Sequence, residues 1–355
     1  MKIALFRLPL LLMIIIALSG CWDIKDINKR FLPVVMGISA GQEGKYKIIF
    51  QVPNVKGGTQ FLEGESKSIS KAVDLIRTKS EKEIDLLHVR LFLISQDLAQ
   101  KSLEDIVDFA MRANDISIKS MVAIVSGDFE KTLFHQIQPT PEVSSYDYFS
   151  EEAGWTPNVT INRLWEAFRS AHSYTEDFAV PILEAGRRTL FEFKGSAVIS
   201  QDRMVGVLSR EETLINNIFQ EKYSGGTIEL TKDASVLIKK VNIRNKARWP
   251  SSGPILKSSI QMDVVITENH KEKSNEEVAK DLESLLQARA TAISVKLRGL
   301  KADILGCGQN FRPRMSSQQL KDWKQIWYPK MRHEIVIRVN IRDNLDFKEN
   351  LKYTK

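Results

Sequence analysis

Two serines in this chain sit in patterns that acyl-transfer chemistry uses. Gly37-Ile38-Ser39-Ala40-Gly41 has the spacing of a nucleophile elbow, and Ser68-Ile69-Ser70-Lys71 has the Ser-x-x-Lys spacing of penicillin-binding enzymes. An elbow needs a strand, a strained turn and then a helix, so that the hydroxyl stands clear of the sheet. Here residues 45–52 follow as a β-like run, which puts Ser39 near the tip of a hairpin. No residue presents itself as its base or orienting acid. Ser68 and Lys71 fall on the polar side of a surface helix, and the companion Ser-Asp-Asn and Lys-Thr-Gly motifs are missing. The five histidines, His88, His135, His172, His270 and His333, show no metal-ligand spacing within one element and no supporting cysteine. His88 lies in an apolar run and reads as a hydrogen-bonded core imidazole. No phosphate-binding Gly-rich loop occurs. No catalytic residue, metal ligand or cofactor is expected, and the chain is expected to be non-enzymatic.

The cysteines carry the remaining chemistry. Leu18-Ser19-Gly20-Cys21 closes an apolar run, residues 8–17, that Lys2 and Arg7 precede. A basic start, an apolar stretch of about 7–15 residues and small residues at a cut site define an export signal. Ending in cysteine, the stretch reads as a lipobox: cleavage after Gly20 would leave Cys21 as an acylated first residue. A membrane-spanning helix needs about 20 apolar residues, and Lys2, Arg7 and Pro9 leave this run short of that. One acyl chain holds a protein at a bilayer only marginally, whereas two or more hold it stably. Cys307, between Gly306 and Gly308, is then without a disulfide partner and reads as a small apolar filler.

Charge and size set the class. At 355 residues the chain has room for about two domains. Its 43% hydrophobic and 27% charged residues are those of a globular protein. Removing Lys2 and Arg7 with the leader takes the net charge from +7 to +5. No dense basic block marks nucleic-acid binding, so nucleic acid is not expected as a partner. A modest attraction to anionic lipid headgroups is the most the balance implies.

The elements follow from periodicity. Residues 33–39 and 45–52 form a strand hairpin, ended by Pro53. Residues 66–79 make a helix, with Ile69, Ala72, Val73 and Ile76 on one face. A strand over 86–94, a helix opened by Ser102, a strand over 116–125 and a short helix over 129–136 come next. Residues 138–157 are an irregular crossing, 160–173 a helix and 178–183 a strand. Gly186-Arg187-Arg188 is the best linker. Beyond it, strands near 191–200 and 204–208 lead to a helix with a capping box, Ser209 and Glu212. Strands over 227–244 and 260–266 precede the longest helix, 275–298, which ends near Gly299. A final strand covers 334–341. The fold class is α+β: a multidomain mixed α/β body with a C-terminal antiparallel sheet packed against a long helix. The expected divisions are a leader over 1–20, an N-terminal mixed α/β domain over 21–186 and a C-terminal α+β region over 187–355. The last divides further into a small middle domain, 187–225, and a final domain, 226–355.

The residues also resemble a known family. Cys21-Trp22-Asp23 with Ile27-Asn28, the hairpin Val34-Val35-Met36-Gly37-Ile38 leading to Tyr46-Lys47-Ile48, and Gly195-Ser196-Ala197-Val198 with Leu208-Ser209 are similar to segments of Ger(x)C spore germination lipoproteins. So is Asp303-Ile304-Leu305-Gly306-Cys307-Gly308, followed by Trp323-Lys324 and Trp327. The motifs keep their order over nearly the whole chain. Cys307 and Ser39-Ala40 depart from the family's commoner residues. The resemblance implies a C subunit of a nutrient germinant receptor, a lipoprotein on the outer face of the spore inner membrane. It implies an A-type and a transporter-like B-type subunit as partners, and no enzymatic activity. The alternative is a lipid-anchored extracytoplasmic solute-binding protein.

Overall fold

Strands with no polar face mark the middle of the molecule. The structure is a computed structural model that describes residues 27–54, 58–113, 115–135, 156–187, 189–222, 227–230 and 234–342. The leader and Cys21 lie outside them, as do residues 136–155 of the expected crossing segment. A two-stranded patch pairs β1 (Arg30–Phe31) with β5 (Glu83–Ile84). The main sheet takes β2 (Val35–Ala40), β3 (Tyr46–Pro53), β4 (Thr59–Ser66), β6 (Leu91–Ser95), β7 (Met121–Val125), β8 (Phe178–Ala185), β9 (Phe191–Ser200) and β10 (Arg203–Leu208). Its order is β10-β9-β8-β7-β6-β2-β3-β4. The central strands β2, β6, β7 and β8 run parallel. Parallel strands are covered on both faces and therefore read as continuous apolar runs, as Leu91-Phe92-Leu93-Ile94 and Met121-Val122-Ala123-Ile124-Val125 do.

The helices supply that cover. On one face pack α1 (Ile69–Thr78), α2 (Gln96–Lys101), α3 (Glu104–Arg112) and α5 (Leu164–Ala171), through residues such as Val73, Leu98, Val107 and Leu164. On the other face lies α4 (Phe129–Phe134), with Phe129 and Leu133 against Val35, Ile49 and Leu93. This packing accounts for Gly37, because a Cβ there would stand 2.8 Å from a Leu133 methyl.

The expected hairpin is β2–β3, with Ile38 opposite Ile48. Ser39 sits one residue before the end of β2, opposite Lys47; a single 3-10 turn at Gln42–Gly44 and then β3 follow it, not an α-helix. Ser68 is the N-cap of α1 and accepts from the Lys71 amide at 3.3 Å. The strand expected over 86–94 is shorter. Asp85 accepts from the Leu87 amide and winds Leu86–His88 into a 3-10 turn, so the strand begins at Leu91. His88 is accordingly exposed, not a core residue.

The second sheet orders β11 (Thr227–Leu230), β12 (Ala234–Arg248), β13 (Ile255–Asn269) and β14 (Arg332–Ile341). It packs on α7 (Asn275–Leu300) as expected. One pair corrects the antiparallel reading: β13 and β14 run parallel, with Ile255 level with Arg332 and Val264 with Ile341. The cause is α7, whose 26 residues span about 39 Å. That length carries the chain back to the end where β13 began. Ser274 and Glu277 close a capping box at its start, and Lys301 caps its end at φ 56°, one residue after Leu300. Residues 189–222 join the two sheets. They supply β9 and β10 to the first, and α6 (Arg210–Phe219) places Leu214, Ile215 and Ile218 in the core of the second.

The second sheet half-buries His333, on β14. Its Nε2 lies 2.9 Å from Ser258 Oγ and its Nδ1 3.0 Å from Ser294 Oγ, which ties β13, β14 and α7 together. Burial lowers its pKa from 6.5 to about 4, helped by Arg298. Between those values the unfolded chain holds the proton and the folded one does not, so stability falls as pH falls. The contribution is complete above about 6.5 and is lost as pH drops through about 4, a change of about 3 kcal/mol. Urea titrations should show this loss in the native chain and not in His333→Gln; equal pH slopes for the two would remove His333 from the account.

Candidate functional site

The end of α7 is built to return the chain on itself. After Lys301, the Gly306 backbone takes φ 66°, a left-handed conformation that glycine adopts without strain. This turn points two successive amides at the Asp303 carboxylate. Cys307 N donates to Oδ1 at 2.8 Å and Gly308 N to Oδ2 at 2.7 Å. The Trp323 indole N–H donates to Oδ2 at 2.9 Å. Gly308 has no room for a side chain, because a Cβ would lie 2.5 Å from Trp323 Nε1 and 2.9 Å from Thr175 Cβ.

The same residues grip the first sheet. Asp177, immediately before β8, accepts from the Asp303 amide on Oδ2 at 2.8 Å, and its own amide donates to the Asp303 carbonyl at 3.0 Å. Lys324 Nζ donates to Asp177 Oδ1 at 2.7 Å. The side chains of Asp177, Asp303 and Lys324 are all buried. Nearby, Gln220 Nε2 donates to the Ile304 carbonyl at 2.6 Å. Trp323 stacks against Phe311 at 5.3 Å between ring centroids, and Trp249 meets Phe311 and Trp327 at 5.6 and 5.2 Å. The arrangement is a polar clamp walled by aromatic rings, joining the two sheets.

Its electrostatics are those of burial. Desolvation pushes the Asp303 carboxyl up to about 7, against the pull of its three N–H donors. Desolvation also raises Asp177, outweighing the Lys324 ammonium. The Cys307 thiol is raised well above its ordinary value by burial and by the Asp303 charge beside it. A thiol held in that form is a poor nucleophile, so Cys307 packs here as the filler its glycine neighbours suggest. Every carboxylate contact in the clamp comes from a donor that fixes position. The geometry therefore does the work of a tie between sheets.

An open cleft of about 590 Å³ adjoins the clamp, lined in part by Arg169, His172, Tyr174, Glu176, Gln309 and Arg312. Arg169 pairs with Glu176 at 3.2 Å, and Gln309 Nε2 donates to the same carboxylate at 3.2 Å. The His172 ring stacks on Phe168 at 4.2 Å. His135, His270 and His333 lie on separate elements, and among the described residues no cluster of His, Cys, Asp and Glu has metal-holding geometry. Cys21 is outside the described residues. The sequence marks Asp303, Trp323 and Lys324 as part of a motif. It gives no sign of Asp177, an acid between Glu176 and Phe178 that looks like any turn residue before a strand.

Fold and clamp together describe a two-sheet body whose C-terminal unit is locked to its N-terminal one. Comparison with known proteins says which family has that build. Residues 23–185 match the spore germination protein N-terminal domain, and residues 194–344 match the spore germination B3/GerAC-like C-terminal domain. The chain belongs to the GerAC spore germination family. Similar curated proteins include spore germination protein B3 of Bacillus subtilis (strain 168), 22% identical over 290 residues, which cover 76% of each chain. Spore germination protein GerQC of Bacillus cereus is 21% identical over 362 residues, covering 94% of this chain and 98% of its own. The crystal structure of the GerBC protein shares the fold, with a TM-score of 0.58 at 15% identity over 86% of this chain and 96% of that one. The family boundary falls between residues 185 and 194, at the β8–β9 turn, although β8 and β9 are hydrogen-bonded neighbours in one sheet.

Proposed function

We propose that the chain is the lipid-anchored C-type subunit of a membrane germinant receptor complex, needed for nutrient-triggered spore germination. Its role is recognition or assembly, not catalysis. The observation that carries the reading is the match of both halves to GerAC-family domains, joined to a lipobox at Leu18-Ser19-Gly20-Cys21. Acylated Cys21 holds the body at the outer face of the spore inner membrane. There it works beside an A-type and a transporter-like B-type subunit. Confinement to one membrane raises its effective concentration toward those partners without any new contact.

The test is genetic. Spores lacking the chain should fail to respond to at least one nutrient yet still germinate with a receptor-independent trigger. Cys21→Ala should reproduce the defect although the body folds. Normal nutrient germination by that variant, with the protein confirmed off the membrane, would overturn the anchored reading. The open cleft beside the clamp favours the solute-binding alternative, and calorimetry with nutrients on the purified chain separates the two: saturable heat that Arg169→Ala abolishes would favour the alternative.

A further inference from the structure

The basic residues of the C-terminal half are arranged by strand periodicity into one surface. Along β12, Lys240, Asn242, Arg244, Lys246 and Arg248 alternate with Val241, Ile243 and Ala247. Alternate residues point to opposite faces. The apolar set packs toward α7 and its core, so the cationic set stands on the open face of the sheet. The neighbouring strands add to it. Lys257 on β13 lies opposite Lys246, and Arg338 on β14 is level with Gln261, which faces Asn242. Lys240, Arg244, Lys246, Arg248, Lys257 and Arg338 are all exposed. Asp263 and Glu334 share this face and each is paired with an arginine of β14 or just beyond its end, Asp263 with Arg342 at 2.8 Å and Glu334 with Arg332, so these pairs leave the six cations uncancelled. Against a net charge of +7 for the whole chain, six such cations place most of the excess on one side of one sheet.

The composition of the face selects among partners. Its paired rows hold no aromatic ring, whereas single-stranded nucleic acid is bound on stacking platforms. Protein interfaces centre on desolvated aromatic and aliphatic anchors and avoid charge at the core; here, among the described residues, Val336, 39% exposed, is the one large apolar side chain prominent among the cations. The three strands make a flat area about 10 Å by 27 Å between backbone positions, bearing long flexible cations. A flat, anionic, laterally fluid surface complements it.

We infer that the open face of β12, β13 and β14 docks electrostatically on the headgroups of an anionic phospholipid bilayer, as a second membrane attachment beside the acyl anchor. Five residues, 22–26, lie between Cys21 and Ile27, and six extended steps reach at most about 20 Å, so the proposed acyl anchor would hold the body close to the bilayer. That part rests on the proposed anchor; the charge argument does not. Attraction to an anionic leaflet decays within about 8–10 Å at physiological salt, so a body held near the bilayer can use such a face where a free one would gain little.

The test uses the mature chain from Cys21 onward, made without acylation so that the anchor plays no part. It should cosediment with phosphatidylcholine vesicles that contain phosphatidylglycerol, and not with phosphatidylcholine alone. Salt near 1 M, where screening acts within about 3 Å, should release it. The triple variant Arg244→Glu, Lys246→Glu and Lys257→Glu should keep its thermal midpoint and bind the anionic vesicles at least about tenfold more weakly. A control reversing the exposed Lys71, Lys79 and Lys101 on the first sheet's helices should bind as the native chain does. Equal binding to both vesicle types, or equal loss in both triple variants, would overturn the proposal. If the anionic vesicles are not bound and the first triple variant still fails to support germination, the face serves an acidic protein surface and the lipid assignment falls.

Discussion

Asp303→Ala is expected to destabilise the folded chain by about 3–5 kcal/mol at pH 5. The substitution removes the acceptor for the Cys307 and Gly308 amides and for the Trp323 indole. Each donor stays buried, and an unpaired buried donor costs about 1–3 kcal/mol. Domains of this kind are stable by about 5–15 kcal/mol in total, so the variant should be marginal at 37 °C. Asp303→Asn keeps one acceptor oxygen and should lose about half as much. Urea midpoints at an unchanged slope measure both. The pH dependence has a definite sign. Burial raises the Asp303 carboxyl to about 7 from 3.8, so the folded state is the better proton binder between those values. The stability this group adds is complete below about 3.8 and is lost as pH rises through about 7. The gap between native and Asp303→Ala should therefore narrow from pH 5 to pH 8. A loss under 1 kcal/mol at pH 5 would mean that the clamp does not hold the two sheets together. His333 acts in the opposite sense over nearly the same window, so the two slopes largely cancel in the native chain and the Asp303 contribution is read from the difference between native and variant at each pH.

How much of this was legible depends on whether the cause is local. The helix α7 was, because its apolar residues recur at three- and four-residue intervals and its capping box is four residues long. The strands β6 and β7 were, because burial on both faces leaves them apolar throughout. The edge strand β4 was not. Phe61 and Leu62 are its main apolar residues, Gly64 interrupts it, and it stands half-exposed with a partner on one side. A Cβ at Gly64 would meet the Ala72 carbonyl at 2.7 Å, a requirement set by α1 and invisible from β4 alone. The direction of β14 was hidden for a related reason: its alternation is the same in either orientation, and only the length and path of α7 decide between them.

The clamp and the basic face failed to show in different ways. Asp177 and Asp303 are 126 residues apart and Asp177 and Lys324 147 apart. No periodicity connects them, and each alone resembles a surface charge. The basic face was written in the period-two pattern of β12. Summed over the chain, its charge disappears into a mild net value, and only sorting residues by strand face recovers it. The same alternation that identifies the strand thus also identifies the surface.

Lys324→Met is expected to cost about 3–5 kcal/mol at pH 8, and the cost should shrink when Asp177→Asn is added. Lys324 is 8% exposed and Asp177 3%, and their contact is 2.7 Å. Taking two charges out of water is costly, so the pair need not add net stability, but removing one partner leaves a buried charge without compensation. The double variant has no such charge. In it an amide oxygen stands in for Asp177 Oδ2 and can still accept from the Asp303 amide. It should recover at least about 1 kcal/mol over Lys324→Met in a double-mutant cycle. Burial already raises the Asp177 carboxyl against the pull of Lys324, and losing the ammonium raises it further. A raised acid contributes stability that is complete below its unfolded value and is lost as pH climbs through its folded one. Lys324→Met should thus approach the native chain near pH 4 and fall furthest behind at pH 8. If Lys324 served only through the packing of its methylenes, the deficit would be independent of pH and the two substitutions would add, and that outcome would reduce the clamp to the Asp303 half alone.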